Sequence, residues 1–309
     1  MSMDFFRKVK AKYVVASIRK NWAISDAKRD AGLTIPEDIE AIYDISYGDA
    51  GSENLLDIYM PKTAEGLMPA IVNVHGGAWV YGNKEIYKYY CMGLALRGFV
   101  VVNFNYRLAP ESPFPAQLED INRVLSFVAK KGADYHIDKD RLVLIGDSAG
   151  AQLTSQYGAI YSNKAYAELF EFQVPEVTIK VLGLNCGGYD CREMLLGERS
   201  KKNINDMLFT LLNKNRSEIT DEVIEKMDVL KHITADYPPA YVMSAYDDYM
   251  CPNAEPMYKH LIAKGIEAKM KIYGSPDRKD LGHVFHVNCR LEDAKVCNDD
   301  ECEFFKQYV

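Results

Sequence analysis

The run Arg141-Leu-Val-Leu-Ile-Gly-Asp-Ser148-Ala-Gly150 constrains this chain more than any other stretch. Leu142 to Ile145 read as a buried strand, G-x-S-x-G follows, and a helix-forming segment comes next. Gly146 and Gly150 permit a sharp strand-to-helix turn that exposes a serine hydroxyl. The helix start then points amide dipoles at the reacting centre. Alone, the motif can be a tight turn with an idle serine. The strand before it and the helix after it make it a nucleophile elbow.

Such an elbow belongs in a largely parallel sheet, and the rest of the chain supplies one. Apolar runs predict strands over 42–48, 55–59, 70–74, 100–105, 142–145, 180–184, 240–244 and 268–273. The runs at 70–74, 100–105 and 142–145 are apolar on both faces, which places them centrally, and the early strands are expected to be antiparallel. Helical stretches are expected near 85–97, 115–131, 149–162 and 253–263, and after Leu291. Residues 1–41 read as an N-terminal helical segment, and 42–309 as the main α/β domain. The segment 186–237 breaks the alternation. It is too long for a structureless loop, so a small helical insertion is expected, with 203–213 and 221–229 helical. With the N-terminal helices it would cap the C-terminal edge of the sheet, where ligands bind in open α/β folds.

A serine hydroxyl needs a base, an acid to orient that base, and donors for the developing oxyanion. His75-Gly76-Gly77-Ala78-Trp79 follows an apolar strand, and its glycines free backbone amides to turn toward an oxyanion. The Gly76 and Gly77 amides, with that of Ala149, are the expected donors. After the elbow, Asp247 and Asp248 follow the 240–244 strand, and His283 and His286 lie between the last strand and the last helix. That satisfies the order serine, acid, histidine. Spacing leaves both choices open, between the adjacent aspartates and between the two histidines. His136, His232 and His260 stand where a packing or surface role is the plain reading.

Composition narrows the rest. A net charge of −7 with scattered basic residues argues against nucleic acid or an anionic membrane as partner. The seven cysteines show neither C-x-x-C spacing nor a disulfide framework, which fits a reducing compartment. The N-terminal apolar run is too short for a signal peptide, and none is long enough to span a membrane, so a cytoplasmic location is expected.

The stretch Asn105-Tyr-Arg-Leu-Ala-Pro-Glu111 resembles the Y-R-L-A-P-E segment of the hormone-sensitive-lipase-like esterases (bacterial family IV). His75 to Trp79 resembles that group's H-G-G-G motif, and Gly146 to Gly150 its G-D-S-A-G elbow. The resemblance runs from about Asn54 to the end. It implies an α/β-hydrolase fold, a mostly parallel eight-stranded sheet flanked by helices with a small helical cap. It also implies a serine carboxylesterase acting on short-chain acyl esters such as acetylated sugars or small-alcohol esters. Carried over by position, the nucleophile is Ser148, the acid Asp248 (in a D-x-L-x-like context) and the base His283 (in H-x-F). No cofactor or metal is implied. The expected partner is a small-molecule ester, and the family's habit is monomer or homodimer. Ala78 departs from the third glycine, and H-G-G-x-W also resembles arylformamidases, which leaves a formamide substrate as an alternative. A non-catalytic ligand-binding member of the fold is the other alternative, and the retained serine, acid and histidine weigh against it.

Overall fold

In the computed structural model, residues 3–171, 173–197 and 202–309 are described, with side chains from 11–171, 173–197 and 206–309. Helix α1 (Met3–Asp30) precedes strands β1 (Ile39–Ser46) and β2 (Leu55–Pro61). Then follow β3 (Met68–Val74), α2 (Lys84–Ala95), β4 (Val100–Phe104), α3 (Ala116–Lys131), β5 (Ile137–Asp147), α4 (Ala149–Ser162), α5 (Lys164–Ala167) and β6 (Ile179–Asn185). Short helices α6 (Cys191–Leu196), α7 (Lys202–Leu212), α8 (Asp221–Met227) and α9 (Val229–His232) fill the segment before β7 (Ala240–Ala245). Helix α10 (Ala254–Ala263), β8 (Ala268–Tyr273) and α11 (Glu292–Phe305) complete the chain.

The eight strands form one sheet in the order β1-β2-β4-β3-β5-β6-β7-β8. The first two pairings are antiparallel and the remaining five parallel. Two strands, β5 and β1, begin well before the apolar runs that marked them. β5 starts at Ile137, where Asp138, Lys139 and Asp140 hide it from a search for apolar runs. β1 starts at Ile39, and its pairing with β2 shifts between Ile42 and Ile45, around Asp44 with φ of 58°.

Strand alternation sorts the core into two layers. Val72, Val102, Leu144, Leu182 and Val242 face one way and pack with Leu118, Ile121, Leu153 and Tyr157 of α3 and α4. Ile71, Val101, Val143, Val181 and Tyr241 face the other and pack with Tyr90, Leu94, Cys297, Cys302 and Phe305 of α2 and α11. All seven cysteines are free, five of them buried. Among the described residues no helix is long and apolar enough to cross a membrane.

Topology fixes where a site can lie. β3 is followed in the chain by β4 on one side of it and then by β5 on the other. The sheet order therefore reverses between β3 and β5, and a crevice opens beyond their C-terminal ends. The loop after β3 carries His75 to Trp79, and β5 ends at the elbow. For α4 to start there it must cross close over the end of β3. A Cβ on Gly150 would stand 2.0 Å from the Val74 carbonyl oxygen and 2.6 Å from that of His75. Both obstacles are backbone, so neither can swing aside. Gly150→Ala is therefore expected to destabilise the protein by at least about 2 kcal/mol, read as a lower urea midpoint at unchanged slope; an unchanged midpoint would contradict the close approach.

Candidate active site

Ser148 is the residue between β5 and α4, held at φ 54° and ψ −117°. This backbone is strained for a residue with a side chain, and the surroundings over-determine it. The Ser148 amide donates to the Asn185 carbonyl at 2.8 Å, while α4 begins at the next residue. The turn thrusts the hydroxyl forward, and His283 Nε2 lies 2.8 Å from Ser148 Oγ. His283 Nδ1 in turn lies 2.9 Å from Asp248 Oδ1. The structure thus brings Ser148, His283 and Asp248 into one hydrogen-bonded chain.

The alternatives that spacing left open are separated by position. Asp247 points elsewhere and pairs with Lys279 at 3.6 Å. His286 is fully buried with both ring nitrogens unpartnered, edge-on to Tyr90, and burial pushes its pKa down to about 3. Asp248 is held differently. Burial acts to raise its pKa, but the His283, Cys186 and Met250 donors together hold the carboxyl below the ordinary carboxylate range. The Met250 amide reaches Oδ1 at 2.7 Å. An ionised Asp248 is the form that can fix the imidazole tautomer.

The oxyanion loop needs one correction. The Gly76 amide is not free: it donates to the Tyr87 hydroxyl at 3.0 Å and to Asp147 Oδ1 at 3.2 Å. Tyr87 also donates to Asp147 Oδ2 at 2.8 Å. Gly76 therefore fastens the loop to the elbow. No hydrogen bond from the amides of Gly77, Ala78 and Ala149 is found among the described residues. Gly77, Ala78 and Trp79 all have positive φ, at 119°, 52° and 61°. A Cβ on Gly77 would meet the Tyr81 carbonyl oxygen at 2.0 Å, so only glycine fits this turn.

Three further contacts brace the loop. Tyr106 stacks on His75 at 4.0 Å between ring centroids, and its hydroxyl donates to the His75 carbonyl at 2.9 Å. The Ala109 amide donates to the Trp79 carbonyl at 2.9 Å. The stretch from Tyr106 to Glu111 is thus a buttress for the loop.

Ser148 opens into a cleft of about 350 Å³. Its walls come from the oxyanion loop, from Ile86 and Tyr87 of α2, from Tyr249, His283 and Val284, and from Trp22, Ser25, Asp26 and Arg29 of α1. The inserted helices α6 to α9 supply none of these lining residues among those described. Helix α1 is tied down mainly by polar contacts. Arg19 forks onto Glu111 at 2.7 and 2.9 Å, and Tyr81 donates to Asp26 at 2.6 Å. Arg29 saturates itself on Asp26, Asp30 and the Ile86 carbonyl.

With this geometry in hand, comparison with known proteins is informative. A match to BD-FAE spans residues 56–259. The chain belongs to the BD-FAE family. Solved structures share the fold: esterase B from Lactobacillus rhamnosis, inhibited by a tributyrin phosphonate, superposes with a TM-score of 0.85 at 23% identity, covering 96% of this chain and 95% of that one. An esterase from Pyrobaculum calidifontis gives 0.75 at 22% identity, covering 99% and 97%. These likenesses show the α/β-hydrolase fold. Among curated relatives, esterase LipQ of Mycobacterium tuberculosis is 29% identical over 219 residues, 69% of this chain and 50% of LipQ. The probable isoprenylcysteine alpha-carbonyl methylesterase ICMEL1 of Arabidopsis thaliana is 27% identical over 243 residues, 77% of this chain and 50% of the relative. This chain spans about half the length of the curated relatives it matches.

Two buried acids support the elbow, Asp147 from within it and Glu301 from behind, and neither was singled out from the sequence. Asp147 is buried beneath the oxyanion loop, and burial pushes its pKa up to about 6. Glu301 of α11 is buried between the Tyr90 hydroxyl at 3.2 Å and the Asn185 side-chain amide at 2.9 Å, and burial pushes it up to about 7. No motif announces Glu301, which stands in a helix rich in acids. Both folded-state pKa values exceed their unfolded ones, so the folded protein binds these protons more tightly. The stability this adds is full below about pH 4 and is lost as pH rises through about 6 to 7. Glu301→Gln cannot ionise and should lose less stability than the parent between pH 5 and pH 8, by on the order of 2–3 kcal/mol. Urea unfolding at the two pH values checks it, and a pH-independent gap between the proteins would contradict it.

Proposed function

We propose that this chain is a serine carboxylesterase that hydrolyses short-chain acyl esters through an acyl-enzyme on Ser148. The observation that carries the reading is the hydrogen-bonded chain Ser148–His283–Asp248, with both links under 3 Å. His283 takes the hydroxyl proton as Ser148 attacks the ester carbonyl, then returns it to the departing alcohol. Asp248 holds the Nδ1–H tautomer and stabilises the imidazolium. Water enters on the same base and releases the acid. The tetrahedral oxyanion falls to the amides of Gly77, Ala78 and Ala149, which the surrounding fold leaves unengaged. The scheme calls for no metal or organic cofactor.

The modest volume of the cleft supports a short acyl group, and its mixed aromatic and polar wall suits a small alcohol or aryl leaving group. The names borne by relatives point the same way, since LipQ and esterase B are both called esterases. The Tyr106–Glu111 buttress and the elbow motif support placing the chain near the hormone-sensitive-lipase-like group within its superfamily. Helix α1, which supplies part of the cleft wall, serves in this reading as the cap.

The test is hydrolysis of p-nitrophenyl acetate, butyrate and octanoate, and of an N-aryl formamide, by the parent and by Ser148→Ala. Turnover of the two shorter esters is expected, with kcat lowered by about 10⁴ or more in the variant. No Ser148-dependent turnover of any ester would overturn the proposal. A subtler outcome follows from the tie between loop and elbow. Tyr87→Phe removes a hydrogen bond to Asp147 and an acceptor for the Gly76 amide, and should lower kcat about tenfold with KM little changed. Equal effects on both constants would show that the tyrosine acts on binding instead.

A further inference from the structure

On the side of His283 facing away from Ser148, three different metal-ligating side chains converge. A Cys186 sulfur, an Asp248 oxygen and a His283 nitrogen all lie within 4.8 Å of one another. Among the described residues no other such trio of His, Cys, Asp or Glu side chains is found. Cys186 follows β6 with φ of 53°, its amide tied to the Met243 carbonyl at 2.7 Å, so its position is fixed by the backbone. The side chain is fully buried, with its sulfur beside the Asp248 carboxylate. Asp248 Oδ2 also accepts from Ser244 Oγ at 3.4 Å. A hydroxyl would serve this carboxylate better than a thiol. What sulfur adds is softness.

We propose that Cys186, Asp248 and His283 form an inhibitory site for a soft divalent cation of the zinc–cadmium class, which silences the triad by occupying Nδ1 of its base. The inference rests on the esterase reading for its effect, but not for its binding. The ligand set is the one such ions prefer: thiolate, imidazole and carboxylate, at about 2.0 to 2.3 Å from the metal. Magnesium and calcium, which want oxygen shells, do not suit it. The Nδ1 to Oδ1 distance of 2.9 Å already suits two ligands of one ion, and the sulfur closes by roughly an ångström. His283 lines the cleft and is partly exposed, which gives the ion its path.

The proton balance explains the inhibition. In the working triad Nδ1–H donates to Asp248, and the Nε2 lone pair faces Ser148. A cation on Nδ1 displaces the proton there and takes the Nδ1 pair, so the ring proton moves to Nε2 and covers the pair that faced Ser148. That nitrogen can then donate to Ser148 but cannot accept its proton. The thiol gives its own proton to solvent, and thiolate and carboxylate together balance the two positive charges.

The experiment titrates the metal-free protein and Cys186→Ser with cadmium, zinc and magnesium chlorides, expressing each rate as a fraction of that protein's own metal-free rate. Cadmium and zinc should inhibit the parent and release it on addition of EDTA, whereas magnesium should not. The variant should need at least tenfold more cadmium for half-inhibition. Equal sensitivity in a folded variant would overturn the proposal. X-ray absorption of the parent with one equivalent of cadmium stands independent of any variant and of any activity. A shell of one sulfur with nitrogen and oxygen neighbours is expected, and a shell of oxygen and nitrogen alone would overturn it. If the parent hydrolyses no ester but shows the sulfur shell, the esterase reading fails and the metal site stands.

Discussion

The close crossing of α4 over the end of β3 is the constraint on which this molecule turns. Gly150 has no room for a Cβ against two backbone carbonyls, and Ser148 is pinned in a left-handed conformation by the Asn185 carbonyl. That crossing brings the elbow and the His75–Trp79 loop side by side. Asp147 then bonds the Gly76 amide and Tyr87, so the elbow and the loop are tied together. Their relation is set by hydrogen bonds in a dry interior, where such bonds are strong and their loss is costly. The local backbone strain is thus held by packing on every side.

Much of this was legible in the chain because its signals are local. Strand, G-x-S-x-G and helix stand in sequence, and the central strands are apolar on both faces, so the sheet and Ser148 could be read directly. The inserted helices at 202–212 and 221–227 fall close to where the pattern put them. What stayed hidden depends on partners distant in sequence. The polar start of β5 pairs at Met68, which no window of sequence reveals. Gly76 looked like an oxyanion donor because the motif says nothing of where its amide points. Only Asp147 and Tyr87, brought together by folding, claim it. Asp247 and Asp248 are neighbours on one turn, and the difference between them is a matter of which way each side chain leaves it.

The buried acids follow the same logic. Asp147 and Glu301 are far apart in the chain, yet both fasten the elbow to its surroundings, Asp147 by holding Gly76 and Glu301 by holding Asn185. Asn185 carries the carbonyl that anchors Ser148, so α11 at the far end of the chain braces Ser148 through Asn185. A single-sequence reading sees in α11 only a run of acids and cysteines.

Helix α1 stands apart from all of this. It supplies Trp22, Ser25, Asp26 and Arg29 to the cleft, yet Val15 is the only one of its described residues that is a fully buried apolar one. The part of the wall that α1 supplies is therefore nearly independent of the core that holds the fold. Drift in α1 can retune which molecules are admitted while the sheet beneath goes on folding unaltered. Descendants of one such ancestor can part company in diet long before they part company in architecture.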